Sequence, residues 1–338
     1  MTKAEDSVRQ ATAQAHPNIA LIKYWGKRDV ALNLPVVGSL SITLDRLHSC
    51  TTVRFLPELA ADRVWLNGHE DLASARRIGR FLDRLRERAG VRCGAWVESG
   101  NNFPTAAGLA SSASGFAALA LAGSAALGLT LDATELSLLA RQGSGSAARS
   151  IFGGFVEWSH GARADGRDSV AHPIRPAQYW PLRVVVAVTS TASKAIGSSE
   201  GMQRTALTSP YQSAWVDTQE ADLARARAAI EARDFEALAA VSEHSCLKMH
   251  ALAMAAQPGL LYWNGATLDA MHAVRALRAQ GVPVFFTVDA GPQVKAICLP
   301  DAANAVAEAM RSISGVLDVI ECGLGEGACL IDAEAAGA

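Results

Sequence analysis

Long apolar runs are missing from this chain of 338 residues. None approaches the roughly 20 consecutive apolar residues that a membrane-spanning helix needs. The first fifteen residues, MTKAEDSVRQATAQA, lack the apolar stretch of a secretory leader. Closely spaced cysteine pairs are missing too. The six cysteines, Cys50, Cys93, Cys246, Cys298, Cys322 and Cys329, contain no C-x-x-C. They read as scattered reduced thiols, and a cytoplasmic protein is expected. Neither sign of charge is in excess: the formal net charge is −2. Nucleic acid and acidic membrane surfaces are therefore not expected partners, and any anionic ligand must be held by locally placed cations. Lysine is scarce beside arginine. What is plentiful is apolar: 50 % of the residues, enough for one large or two ordinary domains with substantial cores.

Strand-like runs, short and broken by Asn, Pro, Gly and Asp, occupy 15–22, 39–46, 49–55 and 62–66. Residues 71–89 predict an amphipathic helix. Leu72, Ile78, Phe81, Leu85 and Ala89 recur at helical spacing, and Gly90 stops it. A strand at 92–98, a helix running to Leu129 and a second helix at 134–142 follow. Beyond Pro181 come a strand at 183–189 and a Ser/Thr/Gly-rich stretch at 190–211. Helices are expected near 217–233, 236–256, 263–280 and 302–313, with strands at 283–288, 293–299, 316–321 and 327–332. The alternation indicates an α+β fold with a boundary near 180–195, dividing the chain into 1–185 and 186–338.

Four segments can carry chemistry. Residues 101–118, NNFPTAAGLASSASGFAA, run from a loop of small residues into a helix opened by Ser111 and Ser112. Backbone N–H groups and the helix dipole converge there on one point, as a phosphate requires. No Gly-Lys-Ser/Thr follows the glycine, so this is not a Walker A loop. An ordinary serine-capped buried helix fits the residues equally well. NIALIKYWGKRD (18–29) gathers Lys23, Tyr24, Lys27 and Arg28 where a strand meets a loop, suited either to a diphosphate or to a solvated basic turn. GSGSAARS (143–150) offers Ser144, Ser146 and Arg149 to a carboxylate or phosphate. Its Gly143, Gly145 and Ala148 match G-x-G-x-x-A, but the motif follows a helix and precedes a strand, the wrong context for a dinucleotide fold. TVDAGP (287–292) ends a buried strand on Asp289, placed to act as a base or simply to cap a turn. His244, Cys246 and His250 lie on a predicted helix at spacings of two and six residues from His244; they are not expected to share a face or to bind metal.

Taken in order, these segments resemble the superfamily of galactokinase, homoserine kinase, mevalonate kinase and phosphomevalonate kinase. Within it they are most similar to the diphosphomevalonate decarboxylase family, over about residues 15–332. The resemblance implies two lobes. The first would be like ribosomal protein S5 domain 2, with a left-handed βαβ crossover, and the second ferredoxin-like, with substrate between them. It implies ATP and Mg²⁺, a homodimer, and conversion of mevalonate 5-diphosphate to isopentenyl diphosphate, CO₂, ADP and phosphate. Family members that phosphorylate the 3-position without decarboxylating, or that decarboxylate the monophosphate, are the nearest alternatives.

The same resemblance assigns roles. Asp289 stands for the catalytic aspartate and Arg149 for the group that holds the substrate carboxylate. Ser144 and Ser146 would contact the carboxylate and hydroxyl. Tyr24 and Lys27 would clamp the diphosphate, with Lys23 and Ser198 also among the substrate-binding residues. Pro104, Gly108, Ala110, Ser111 and Ser112 would surround the ATP phosphates, Ser112 facing the metal, with Lys194 beside the nucleotide. The chain departs from the family pattern at Ala148, where Cys is common, at Gln293, where Asn is usual, and at Gly197, where Ser is frequent.

Overall fold

The computed structural model describes residues 9–103 and 110–332. In chain order the first part holds β1 (Arg9–Ala15), β2 (Asn18–Ile22), β3 (Lys27–Asp29), β4 (Leu34–Pro35), β5 (Ser39–Thr43), β6 (Ser49–Leu56), β7 (Arg63–Leu66) and β8 (His69–Glu70). It continues through α1 (Leu72–Ala89), β9 (Gly94–Asn101), α2 (Ser111–Ala126), α3 (Ala133–Gly143), α4 (Ala147–Ser150), β10 (Phe155–Trp158) and β11 (Ala171–Arg175). The second part holds β12 (Arg183–Val188), α5 (Ser198–Thr208), α6 (Gln212–Ala232), α7 (Phe235–Met254), α8 (Gly265–Ala279), β13 (Val284–Val288), β14 (Val294–Cys298), α9 (Ala303–Arg311), β15 (Asp318–Cys322) and β16 (Cys329–Ile331).

Three larger sheets organise these elements. The first has the order β16-β1-β6-β9-β7-β8; β7 and β9 are parallel and joined through α1. Burial along β6 alternates strictly, so one face of this sheet packs on helices and the other does not. The packed face receives α1, which buries Ile78, Phe81, Leu82 and Leu85, and α2. Asp71 caps α1 at its start and Gly90, at φ 65°, ends it. Leu72, expected on the core face, is the first helical residue and is exposed; Leu82 takes a core place instead. Helix α2 has no polar side, because α1, α3 and the sheet enclose it. Its alanines and Gly123 let neighbours approach closely: a Cβ on Gly123 would stand 2.6 Å from Leu85 Cδ1.

The second sheet has the order β11-β10-β5-β2. The third, β13-β14-β12-β15, is antiparallel throughout, and its strand order with the intervening helices is that of a ferredoxin-like βαββαβ unit. The α+β reading therefore holds, with a ferredoxin-like second lobe. One shared core, including Ile19, Leu40 and Ile42 of the second sheet, Val184 and Phe285 of the third, and Leu223 and Leu238 of α6 and α7, joins the two sheets. After β15 the chain crosses back, and β16 pairs antiparallel with β1, so the end of the described chain is stitched onto the first sheet.

Candidate active site

A cleft of about 450 Å³ lies where the lobes meet. Lys23, Tyr24, Lys27, Ala110, Ser111, Ser112, Ser144, Ser146, Arg149, Lys194, Ser198 and Asp289 all line it. Pro104 and Gly108 lie outside the described residues.

Asp289 follows β13 directly, with a quarter of its side chain exposed to the cleft. Lys23 Nζ donates to its Oδ1 at 2.5 Å, and Lys295 Nζ stands 3.2 Å from Oδ2. Both lysines are 1 % exposed. Burial pushes the Asp289 carboxyl up, but these two ammonium groups outweigh it and hold the carboxyl well below the usual carboxylate range. Burial lowers Lys295, while Asp289 pulls it back up. Lys295 went unnoticed in the sequence, yet its signal was there. The turn after Asp289 folds β14 back on β13 with Lys295 opposite Thr287, and Thr287 shares a face with Asp289.

Arg149, on the short helix α4, is almost wholly buried. Its Nε donates to Asn18 Oδ1 at 3.0 Å and its Nη1 to the Ser39 hydroxyl. Asn18 is itself fixed, donating to Ser146 O at 2.9 Å and Ser150 Oγ at 2.8 Å. Two arms of the fork are thus held by protein, which fixes the plane in which Nη2 can meet an anion. Burial lowers the guanidinium to about 10, so it stays charged at neutral pH. Sequence reasoning found Arg149 but not Asn18 and Ser39, which aim it from distant strands.

Tyr24 lies edge-on to Trp158 at 4.8 Å, and Gly145 leaves room for it: a Cβ there would stand 2.7 Å from its hydroxyl. That hydroxyl is buried with no hydrogen-bond partner among the described residues. Burial raises its pKa above the ordinary tyrosine range, so it is a neutral donor aimed at the cleft. Lys27 Nζ donates to Asn33 Oδ1 at 2.7 Å and Ser199 Oγ at 3.0 Å. Burial, helped by Arg77, pulls this ammonium down to about 8. Arg77 itself holds the end of α3 through Gly143 O at 2.6 Å and lines the same cleft.

The first turn of α2 faces the cleft without a side-chain cap: Ala110, at φ 58°, supplies none, and no acid occupies that turn. Elsewhere Asp71, Asp132, Asp234 and Asn264 cap α1, α3, α7 and α8. Uncapped N–H groups at a dipole's positive end suit phosphate oxygens. Ser112 Oγ and Ser144 Oγ lie 3.2 Å apart beside it. Among the described residues no group of three His, Cys, Asp or Glu could hold a metal ion. The donor set thus fits a hydrated Mg²⁺ held mainly by phosphate oxygens, with hydroxyls assisting. Lys194 Nζ reaches Ser198 Oγ and Ala290 O, each at 2.9 Å.

The three departures from the family pattern are each accommodated locally. Ala148 is fully buried away from the cleft. Gln293 is buried too, its Oε1 accepting from Thr189 N at 2.6 Å and its Nε2 donating to Ser190 O at 2.5 Å. Gly197 lines the cleft, and a Cβ there would touch nothing within 4 Å. Gly143 ends α3 and Ala148 lies within α4, so the motif runs into a short helix where a strand was expected; it follows a helix as expected, whereas a dinucleotide motif follows a strand.

Lys27 generates a pH prediction. Its charge is present below about 8 and lost above it, so binding of inorganic pyrophosphate should weaken as pH rises through that value. Lys27→Arg should abolish the fall, because guanidinium does not titrate there. Calorimetric Kd values from pH 6.5 to 9.5 (about one unit or more either side) check this; identical profiles for the two proteins would contradict it.

Family models match most of the chain: the diphosphomevalonate decarboxylase-like N-terminal domain over residues 15–171 and the mevalonate 5-diphosphate decarboxylase C-terminal domain over 184–324. Diphosphomevalonate decarboxylase of Ganoderma lucidum is 42 % identical over 311 residues, covering 85 % of this chain and 77 % of that one. The Homo sapiens enzyme is 39 % identical over 321 residues, covering 88 % and 79 %. The structure of MDDEF in complex with MVAPP, AMPPCP and magnesium superposes with a TM-score of 0.90 at 40 % identity, covering 96 % of this chain and 100 % of that one. With both lobes matched by their own family models and relatives spanning most of its length, the chain belongs to the diphosphomevalonate decarboxylase family.

Proposed function

We infer that this chain catalyses the ATP-dependent decarboxylation of mevalonate 5-diphosphate to isopentenyl diphosphate, through phosphorylation of the 3-hydroxyl. The observation that carries the reading is the convergence, in one cleft, of a carboxylate between two lysines and an immobilised arginine. A relative of nearly the same fold is in complex with MVAPP, AMPPCP and magnesium. ATP phosphates are assigned to the first turn of α2, with Ala110, Ser111, Ser112 and Lys194. The substrate diphosphate is assigned to Tyr24, Lys27 and Ser198, and its carboxylate end to Arg149, Ser144 and Ser146. Ser112 would help to hold magnesium, which would supply neutralisation of the phosphate charge.

A tertiary hydroxyl is a poor leaving group, and phosphorylation makes it a good one. Asp289, held ionised by Lys23 and Lys295, is a weak base in the ground state. Phosphoryl transfer through a loose transition state asks little of a base until the new O–P bond forms. Asp289 therefore accepts the hydroxyl hydrogen bond, orients the nucleophile and takes the proton late. Lys23 acts through Asp289, since its ammonium sits on Oδ1. When phosphate leaves and positive character grows at C3, electrons come from the carboxylate as CO₂ departs. Arg149 keeps that carboxylate aligned. We further propose a cytoplasmic homodimer with lobes at 1–185 and 186–338. Among the described residues no helix is long and apolar enough to cross a membrane.

Release of CO₂ from mevalonate, its 5-phosphate and its 5-diphosphate, each with MgATP, tests the reading; only the diphosphate should yield rapid CO₂. Asp289→Asn keeps the shape and removes the charge, so kcat should fall by ~10²–10⁴ while MgATP still binds. Near-normal turnover would contradict the assignment. Arg149→Lys should not support decarboxylation, because an ammonium cannot make the paired contacts to Asn18 and Ser39 and still meet an anion. Lys295→Met removes one of two cations facing Asp289. The Asp289 pKa should rise, and the acid limb of kcat/KM should move to higher pH than in the wild type. An unmoved limb would show that Lys295 does not control this carboxylate.

A further inference from the structure

Strand β13 forms the edge of its sheet, so the backbone groups on its outer side lack a strand partner. Helix α7 supplies side chains instead. Glu243 Oε1 accepts from Phe286 N at 3.2 Å, Cys246 Sγ accepts from Val288 N at 3.2 Å, and His250 Nε2 lies 3.1 Å from Val288 O. Trp263 Nε1–H, which can only donate, lies 3.3 Å from the same His250 Nε2, so that nitrogen meets Val288 O as a donor in one tautomer and Trp263 as an acceptor in the other; Cys246 Sγ, 3.5 Å from Val288 O, is a donor to that carbonyl in both. Glu243, Cys246 and His250 stand at i, i+3 and i+7, one stripe of a helix. The expectation of no shared face holds for His244, which is exposed, but not for Cys246 and His250, which stand four residues apart and both face β13. The residue after Val288 is Asp289.

The same helix grips the other half of the ion pair. Ser245 Oγ accepts from Lys23 N at 2.9 Å, beside Cys246 in sequence. Lys23 O is held in turn by Gln219 Nε2 at 2.8 Å. One rigid turn of α7 therefore fixes the backbone of both partners of the Lys23–Asp289 pair, which come from different lobes.

We propose that Ser245, Cys246 and His250 are positioning residues that set the Lys23–Asp289 separation and thereby the aim of the carboxylate. Packing alone would give α7 apolar contacts on β13; it would not place an acceptor on Val288 N–H, a donor on Val288 O and an acceptor on Lys23 N–H. The proposal rests on the decarboxylase reading for its kinetic consequence, but not for its geometry.

Paired variants test it. Cys246→Val removes the thiol that meets Val288 N–H and Val288 O, and Cys246→Ser restores a hydroxyl there; His250→Leu removes the ring nitrogen beside Val288 O, and His250→Gln restores an amide donor. With mevalonate 5-diphosphate and MgATP, kcat of the Val and Leu variants should fall on the order of 10²-fold, as small displacements of reacting groups do. Both KM values should stay within about threefold, since ground-state binding is untouched. The Ser and Gln variants should recover most of the loss. Unchanged kcat in the Val and Leu variants, or a loss that Ser and Gln fail to recover, overturns the proposal. Should the Val and Leu proteins not fold, Ser245→Ala carries the same expectation, with retained kcat overturning it. A wild type that releases no CO₂ would defeat the decarboxylase reading alone. The geometry is then read from a crystal structure of Ser245→Ala: a Lys23 Nζ–Asp289 distance beyond hydrogen-bonding range supports the proposal, and an unchanged distance overturns it.

Discussion

Two buried ammonium groups share one carboxylate, and much of the structure is arranged to make that tolerable. Lys23 and Lys295 are each 1 % exposed, so neither is stabilised by bulk water. Removing one member of a buried ion pair typically costs about 3–5 kcal/mol, because the partner is left charged and unpaired. Asp289 therefore cannot relax away from its lysines, and its ionised state is enforced by neighbours rather than by solvent. The cluster also carries excess positive charge. Arg149, Lys27, Arg77 and Lys194 add more around the same cleft, where Glu200 is the other acid. Of six lysines in the chain, four stand at this site, although the whole protein is slightly acidic. Such concentration of one sign in a low-dielectric cleft draws polyanions and keeps them there.

The fold delivers these charges from separate places. Lys23 follows β2 of the second sheet, Asp289 and Lys295 flank the turn between β13 and β14 of the third, and Arg149 sits on α4. The core shared by the second and third sheets, filled from α6 and α7, makes the register between them a packing problem with few solutions. Thr287 Oγ1, donating to Ala20 O at 3.3 Å, ties β13 to β2 within that core. The phosphate end is built differently. An alanine-rich helix buried on all sides presents a first turn without a side-chain cap, an arrangement that suits phosphate oxygens.

Much of this was legible in the sequence because motifs report local backbone chemistry. The serines that open α2, the basic turn at 23–28, the serines around Arg149 and the aspartate at a strand end each needed only neighbours in sequence. Elements lacking an apolar pattern were missed. β1 packs only alanines against α2, β11 is short, and α5 hides in a Ser/Thr/Gly-rich composition. The run 15–22 was read as one strand, but His16 and Pro17 separate β1 and β2 into different sheets. Asn18 and Ser39 were invisible as site residues because their role depends on a partner more than a hundred positions away. Lys295, Cys246 and His250 fall between these cases: cross-strand pairing and i, i+4 spacing place them, but only once the hairpin and the helix face are both known.

The ionisation of Asp289 bears most directly on this account. Carbon-13 NMR of the carboxyl groups, with the Asp289 resonance assigned by its loss in Asp289→Asn, follows that one group as pH falls. Because Lys23 and Lys295 hold the carboxylate ionised, its resonance should show no titration step between neutral pH and about 4, the ordinary aspartate range. A step at or above that value would mean that burial outweighs the two lysines, and the account of a carboxylate locked between buried cations would be contradicted.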